Sequence, residues 1–480
     1  MILYDAVDVK AGSDQVIEIR AGNELLWAAF ENLWMFDIPT PGTEIQLKPT
    51  IAGSVQINWG DGEIDTLTNN ISINHTYLME LPPSTWSQLG QDIDGEVADD
   101  RSGWSVSINS TGDRVAIGAI GNDNNGDFSG HTRIYEYNDV TQEWVQFGQD
   151  IDGEAAYDYS GYSVSINADG DRVAIGAYYN DGNGNFSGHT RIYEYSNGTW
   201  SQLGSDIDGE AAGDQSGYSV SINADGDRVA IGATGNDDNG SSSGHVRIFE
   251  YNISTQEWEQ LGSNIDSEAA ADFGGWSVSM NSTGNRVAIG APYNDGNGTS
   301  SGHTRIYEFS NGIWTQLGQD IDGEAVDDRS GVSVSMNAAG NRVAIGAFNN
   351  DGNGINSGHT RIYEYSNGTW SKLGSDIDGE DVADNSGYSV SMNAAGDRVA
   401  IGARYNAGVN GTESGHTRIY EYSNGTWSKL GQDIDGEAAG DRSGWSVSMN
   451  STGDRVAIGA YLNDGINGTA SGHTRIYKLG

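Results

Sequence analysis

Apolar and polar residues alternate in short runs along most of this chain, and the runs return on a fixed period. Between Ser160 and Asp214 the first run is GYSVSIN (161–167), where Val164 and Ile166 alternate with serines. The turn ADGD follows, then RVAIGAY (172–178), the longer polar loop NDGNGNFSG (180–188), HTRIYEY (189–195), the turn SNGT and WSQLGSDI (200–207). Short runs rich in Val, Ile, Tyr and Thr, bounded by Gly, Asn and Asp, predict β-strands. The stretch therefore predicts four strands joined by two tight turns and one longer loop, and DGEAAGDQSG (208–217) leads into the next copy.

The arginine of the DRVAIGA or NRVAIGA run stands at Arg114, Arg172, Arg228, Arg286, Arg342, Arg398 and Arg455, a spacing of 56 to 58 residues. The tryptophan of a W-x-x-x-G run keeps pace at Trp86, Trp144, Trp200, Trp258, Trp314, Trp370 and Trp427. Fixed periods of this size belong to propellers and solenoids. Seven copies of four antiparallel strands predict an all-β, seven-bladed propeller over residues 83–480. The chain order adds a detail. Its first repeat element, from Trp86, is a fourth strand, and its last, HTRIYKLG (473–480), is a third strand with no fourth after it. The strand near Trp86 is thus expected to complete the last blade and leave no open edge at the join.

Composition changes the picture in two respects. Sixty-eight acidic against 24 basic residues give a formal net charge of −44, which repels phosphate backbones and argues against nucleic-acid partners. Solubility in salt, divalent-cation binding and attraction of a cationic partner remain. Cysteine is absent, so neither disulfides nor thiol chemistry contribute. No run of 18 apolar residues is present to insert in a membrane, and MILYDAVDVKAGSD lacks the basic-then-apolar pattern of a secretory leader.

Ahead of the repeats, residues 1–35 carry alternating runs that predict a small hairpin or anchor. The segment DVKAGSDQVIEIRAGNELLW resembles short segments of phage structural proteins. Residues 36–82 place a strand ending in Trp59-Gly60-Asp61-Gly62 before His75-Thr76-Tyr77, and this resembles PKD-like β-sandwich modules, which implies a spacer or adhesion element. Leu81-Pro82-Pro83 reads as a stiff linker. Within the repeats, Gly-x-Ser-Val followed by Val-Ala-Ile-Gly-Ala resembles the FG-GAP repeat of integrin-alpha-type propellers, closest at FGGWSVSM (273–280) with NRVAIGAP (285–292). The residue before the glycine is Ser in six copies and Gly274 in the seventh, and one copy keeps the proline. The family's calcium loop lies between the first two strands. Here that connection is only NADGD or NSTGD, too short for the same cage.

Alternating strand direction puts the fourth-to-first and second-to-third loops on one face, which gathers most of the acid. The candidate calcium ligands there are Asp92, Asp94 and Glu96; Asp150, Asp152 and Glu154; Asp206, Asp208 and Glu210 with Asp214; Asp320, Asp322 and Glu324; Asp376, Asp378 and Glu380; and Asp433, Asp435 and Glu437. Carboxylates spaced one apart can converge on a hard cation, with Asn180, Asp181 and Asn183 of the NDGNG loop adding oxygens. The competing reading is that Asp and Gly make the turns and Asp214 caps one. Asn264, Ser267 and Ala407, which break the pattern, favour the turns. A second set follows the glycine of each innermost strand: Trp104, Tyr162, Tyr218, Trp276, Tyr388 and Trp445, interrupted by Val332. These rings are placed to stack on a sugar or embrace a cation; the alternative is packing between blades. The family resemblance implies a comparable aromatic ring on the partner-binding face. Seven histidines (His131, His189, His245, His303, His359, His416, His473) open the third strands, too far apart to share an ion, and read as structural hydrogen-bonding groups. No nucleophile elbow, HExxH helix or phosphate loop is present.

The expectation is a non-enzymatic adhesion or recognition protein on a virion, as a phage tail or head fibre, or on a cell surface. Its partners are a glycan or protein receptor, and other virion proteins through the N-terminal segments. The alternatives are a secreted surface adhesin and a secreted carbohydrate-active enzyme.

Overall fold

A computed structural model describes residues 84–480 throughout and, before them, only strand segments between residues 8 and 76. The chain forms two compact units, Met1–Ser84 and Thr85–Gly480. In the first, Asp8–Lys10 pairs with Ser54–Asn58, and Ile19–Ala21 pairs with Glu44–Leu47, so strands from either side of residue 36 share sheets. The expected hairpin, PKD-like module and linker otherwise lie outside the described residues.

Seven four-stranded antiparallel blades make up the second unit, with no helix among the described residues. In the second blade the strands Ser163–Ile166, Arg172–Ala177, His189–Ser196 and Thr199–Gln202 lie side by side in chain order. The predicted fourth strand is broken: Ile207–Asp208 pairs again with the third strand, at His189 and Thr190, after a gap. The gap centres on Gly204, whose φ of +75° suits glycine. A Cβ there would lie 2.8 Å from Cδ1 of Trp258 in the next blade. The W-x-x-x-G run is thus a clasp between blades. Each tryptophan presses on the preceding blade's glycine and donates its indole N–H to the carbonyl beside it, as Trp258 does to Leu203 (2.8 Å) and Trp200 to Phe147 (2.7 Å).

The seventh blade closes as expected. Its strands Ser446–Met449, Arg455–Ala460 and His473–Leu479 are completed by Trp86–Gln88, in the register Tyr477↔Gln88 and Leu479↔Trp86, and by Ile93–Asp94. Trp86 is buried with Ala400, Ile419, Val447 and Ile458, and donates to Leu430 O at 2.8 Å. It therefore repeats across the join the clasp made elsewhere within continuous chain.

The apolar clusters lie between blades. Ala116 and Ile134 of the first pack with Val164, Ile166, Val173, Ile175 and Trp200 of the second. Near the axis the innermost strands are bridged by serines instead: Ile166 N donates to Ser107 Oγ (3.0 Å), and Ser105 Oγ donates to Gly161 O (2.7 Å). This explains the polar half of the SVSI alternation. On the face of the tight turns, backbone N–H groups at Ser110, Ala168, Ala224, Ser282, Ala338, Ala394 and Ser451 each donate to the next carbonyl in the series, and Ser451 returns to Ser110 at 3.1 Å. A closed ring of seven hydrogen bonds thus surrounds the axis on that face.

Candidate functional site: the loop face

The two long loops of each blade interlock on the face opposite that ring. Asn183 Nδ2 donates to Gly209 O (2.9 Å) and Glu210 O (3.0 Å), and Gly213 N to Asn185 O (2.9 Å). The last aspartate of each acidic loop is buried and caps its turn. Asp214 Oδ2 accepts from Ala211 N (2.9 Å), and Asp158 Oδ2 accepts from Ala155 N (3.2 Å) and Asn180 Nδ2 (3.0 Å). Asn180 Oδ1 in turn accepts from Gly182 N (2.8 Å).

The remaining loop carboxylates separate into three environments. Asp206, Asp320 and Asp433 accept bidentate bonds from Arg191, Arg305 and Arg418. The Arg305 guanidinium holds the Asp320 carboxyl below the usual carboxylate range. Asp376 pairs with Lys372 (2.8 Å), while Asp92 and Asp150 accept from Gln88 and Gln146. The loop glutamates reach the arginine of the following blade: Glu154 meets Arg191, Glu380 meets Arg418, Glu324 meets Arg361 (2.7 Å), Glu437 meets Arg475 (3.3 Å), Glu96 meets Arg133 (3.5 Å) and Glu210 meets Arg247 (4.0 Å). The third group lies against the neighbouring second-to-third loop. A Cβ on Gly182, Gly296, Gly352, Gly408 or Gly465 would lie 3.1–3.3 Å from Oδ1 of Asp208, Asp322, Asp378, Asp435 or Asp94, and Asp152 accepts from Asn124 Nδ2 (3.3 Å). The glutamates are thus brought to arginines rather than to the capping aspartates. The other arginine pairs directly across strands in six blades, as Arg172 does with Glu194 (2.6 Å), and in the seventh Arg455 stands opposite Lys478.

At the centre of this face the aromatic set comes together. Ring centroids are 5.5 Å apart for Trp104–Tyr162, 5.0 Å for Tyr162–Tyr218, and 4.8 Å for Tyr218–Trp276, Tyr388–Trp445 and Trp445–Trp104. All six are half-buried, and Val332 is the buried gap. Burial pushes the Tyr162, Tyr218 and Tyr388 phenols up, that of Tyr388 to about 12, so the floor presents uncharged hydroxyls at neutral pH.

A second tier lies beyond what the repeat predicts. The residue after each VAIGA run is Ile120, Tyr178, Thr234, Pro292, Phe348, Arg404 or Tyr461, and several of these press on the floor: Tyr178 on Tyr162 (4.2 Å), Tyr461 on Trp445 (4.4 Å) and Phe348 on Tyr388 (5.7 Å). Arg404 lies 3.5 Å from the Tyr388 ring, 4.6 Å from Tyr405 and 4.9 Å from Trp445. Nearby, Arg442 donates to Tyr461 Oη (2.8 Å) and Glu413. The signal for this tier in the sequence is divergence: these positions vary where the blades otherwise repeat. The middle of an acidic face is therefore aromatic and locally cationic.

Two of the seven histidines depart from expectation. His131 and His245 are buried, yet neither ring nitrogen of either has a hydrogen-bond partner, so hydrogen bonding does not account for them. Burial pushes His131 down to about 3, and His245 and His473 to about 4. An unfolded histidine takes its proton near pH 6.5, whereas these stay neutral when folded, so the unfolded chain binds more protons between those values. Stability is full above about pH 6.5 and is lost as the pH falls towards 4 and 3. Urea unfolding midpoints should fall across that window, and His131→Asn should flatten the slope. A profile flat from pH 7 to 4 would contradict this assignment.

The FG-GAP repeat family model matches residues 151–193, 207–249 and 434–477. No curated protein matches the chain. Among solved structures, the hydrazine synthase of Kuenenia stuttgartiensis is similar in fold at 11% identity and a TM-score of 0.51, over 81% of this chain and 97% of that one. The periplasmic gluconolactonase PpgL of Pseudomonas aeruginosa aligns at 11% identity and a TM-score of 0.47, over 88% and 96%. At such identities the likeness concerns the fold alone.

Proposed function

We propose that this is a non-enzymatic recognition protein, displayed on a virion or the outside of a cell, that binds a surface glycan or a receptor protein through the centre of its loop face. The observation that carries the reading is the aromatic floor of six rings with the Arg404 guanidinium set into it. Aromatic faces stack on apolar sugar faces, while uncharged phenols and a guanidinium supply hydrogen bonds. Near-identical blades favour binding over catalysis, because a catalytic site needs one acid and one base held apart from their copies. The placement on a virion is supported by the resemblance of DVKAGSDQVIEIRAGNELLW to phage structural proteins, with the N-terminal segments joining other virion proteins.

A glycan array and host-cell binding assay tests this. The wild-type chain should bind a defined set, and Trp445→Ala should weaken binding about tenfold, the equivalent of roughly 1.4 kcal/mol, with the fold retained by circular dichroism. Release of reducing ends from a polysaccharide, lost on changing the carboxylates of one blade only, would make the protein an enzyme and overturn the proposal.

A further inference from the structure

The third blade carries beside its buried histidine an aspartate, Asp238, that the other blades lack. His245 is 1% exposed, and neither Nδ1 nor Nε2 has a hydrogen-bond partner. Nδ1 lies 3.7 Å from Glu210 Oε2, 3.9 Å from Asp238 Oδ2 and 3.9 Å from Asp266 Oδ1. Ligand atoms from Glu210, Asp238 and His245 all lie within 4.8 Å of one another. Similar histidine–carboxylate groups recur in other blades, but in the second, fourth and sixth the arginine of the third strand clamps the carboxylates, as Arg191 clamps Glu154 and Asp206.

Two sequence changes set this blade apart. The position of Asp206 is Asn264 in this blade, and Arg247 Nη2 donates to the Asp208 carbonyl (2.6 Å), as Arg133 and Arg475 do to the Asp94 and Asp435 carbonyls in the first and seventh blades (2.8 Å each). On the other side Asp238 replaces the residue that is Gly182 in the second blade and Gly296 in the fourth. One carboxylate has left the arginine's side of the histidine, and another has arrived where no guanidinium bonds to it. The product is one imidazole with three carboxylates 3.7–3.9 Å from its Nδ1.

We infer that His245, Glu210, Asp238 and Asp266 form a binding site for one first-row divalent transition cation, of the zinc or manganese type. Mixed imidazole and carboxylate donors suit such ions, whereas calcium takes oxygen donors alone. The ion would draw in carboxylates that otherwise repel one another and would occupy the histidine's free nitrogen. Because Glu210 comes from the preceding loop and His245 from the blade itself, it would also tie two blades together.

The test is metal stoichiometry on the full chain, stripped with chelator and titrated separately with Zn²⁺, Mn²⁺ and Ca²⁺ by calorimetry, with the melting temperature followed in parallel. One equivalent of Zn²⁺ or Mn²⁺ should bind and raise the melting temperature. Asp238→Asn, an exposed change that leaves the blade intact, should weaken binding about tenfold or more, and His245→Gln should do the same. Absence of saturable Zn²⁺ or Mn²⁺ binding, or binding unchanged in Asp238→Asn, would overturn the assignment. So would binding of Ca²⁺ alone.

Discussion

Replacing Trp86 by alanine should cost about 3–5 kcal/mol, the usual penalty for emptying a buried tryptophan site. Its consequence should differ in kind from the same change elsewhere. Trp200 makes an equivalent clasp, but its blade is covalently continuous, and Trp200→Ala should loosen one interface while the ring holds. Trp86 sits on the strand that completes the last blade from the other end of the repeats, paired at Gln88, Ser87 and Trp86 with Tyr477, Lys478 and Leu479. Losing it also leaves the Leu430 carbonyl without its indole donor. Hydrogen exchange should therefore show Trp86→Ala exposing Arg455–Ala460 and His473–Leu479, with protection in the other blades falling later. Equal effects of Trp86→Ala and Trp200→Ala on exchange across the seventh blade would show that closure contributes no more than an ordinary blade contact.

The second large effect is expected at the glycine of RVAIGA. A Cβ on Gly176 would fall inside contact distance of the Gly217 carbonyl and the Ser163 hydroxyl, and the same clash with the neighbouring innermost strand recurs at Gly118, Gly232, Gly290, Gly346, Gly402 and Gly459. The obstacle is backbone of the adjacent blade, which cannot swing aside as a long side chain would. Gly→Ala at a permissive site gains about 0.4–1 kcal/mol through the unfolded chain, whereas overpacking costs about 1–3 kcal/mol, so Gly176→Ala should destabilise on balance. Gly198 is a control for backbone strain without a clash: its φ is +91°, and an added Cβ would meet nothing within 4 Å. Its alanine variant should unfold at a higher urea concentration than Gly176→Ala, and the reverse order would refute the close-approach explanation.

The four strands, their sevenfold repetition and the closure by Trp86 are legible in the sequence. They follow from alternation and from where the repeat starts relative to the blade, because both depend on local pattern. The break in the fourth strand is not, since Gly204 serves the tryptophan of a different blade. The aromatic floor can be placed because Trp104 and its aromatic equivalents hold one position in six of the seven copies. Arg404 and Tyr461 cannot, because their role depends on which rings the closed ring brings beside them. His131 and His245 mislead for a related reason. Their residue type normally hydrogen-bonds, while their actual neighbours, carboxylates from two loops, are far away in sequence.

Partner binding through the loop face, and not the turn face, is open to a direct test. The chain has no cysteine, so a single introduced thiol can be capped with a bulky polyethylene glycol maleimide at a chosen place. Val326→Cys lies exposed on an acidic loop, and Val140→Cys lies exposed on the turn between third and fourth strands of the first blade. Capping at Val326→Cys should abolish binding to the glycan or cell that the wild type recognises, and capping at Val140→Cys should leave it intact. Binding that survives the first block and fails with the second would contradict the account.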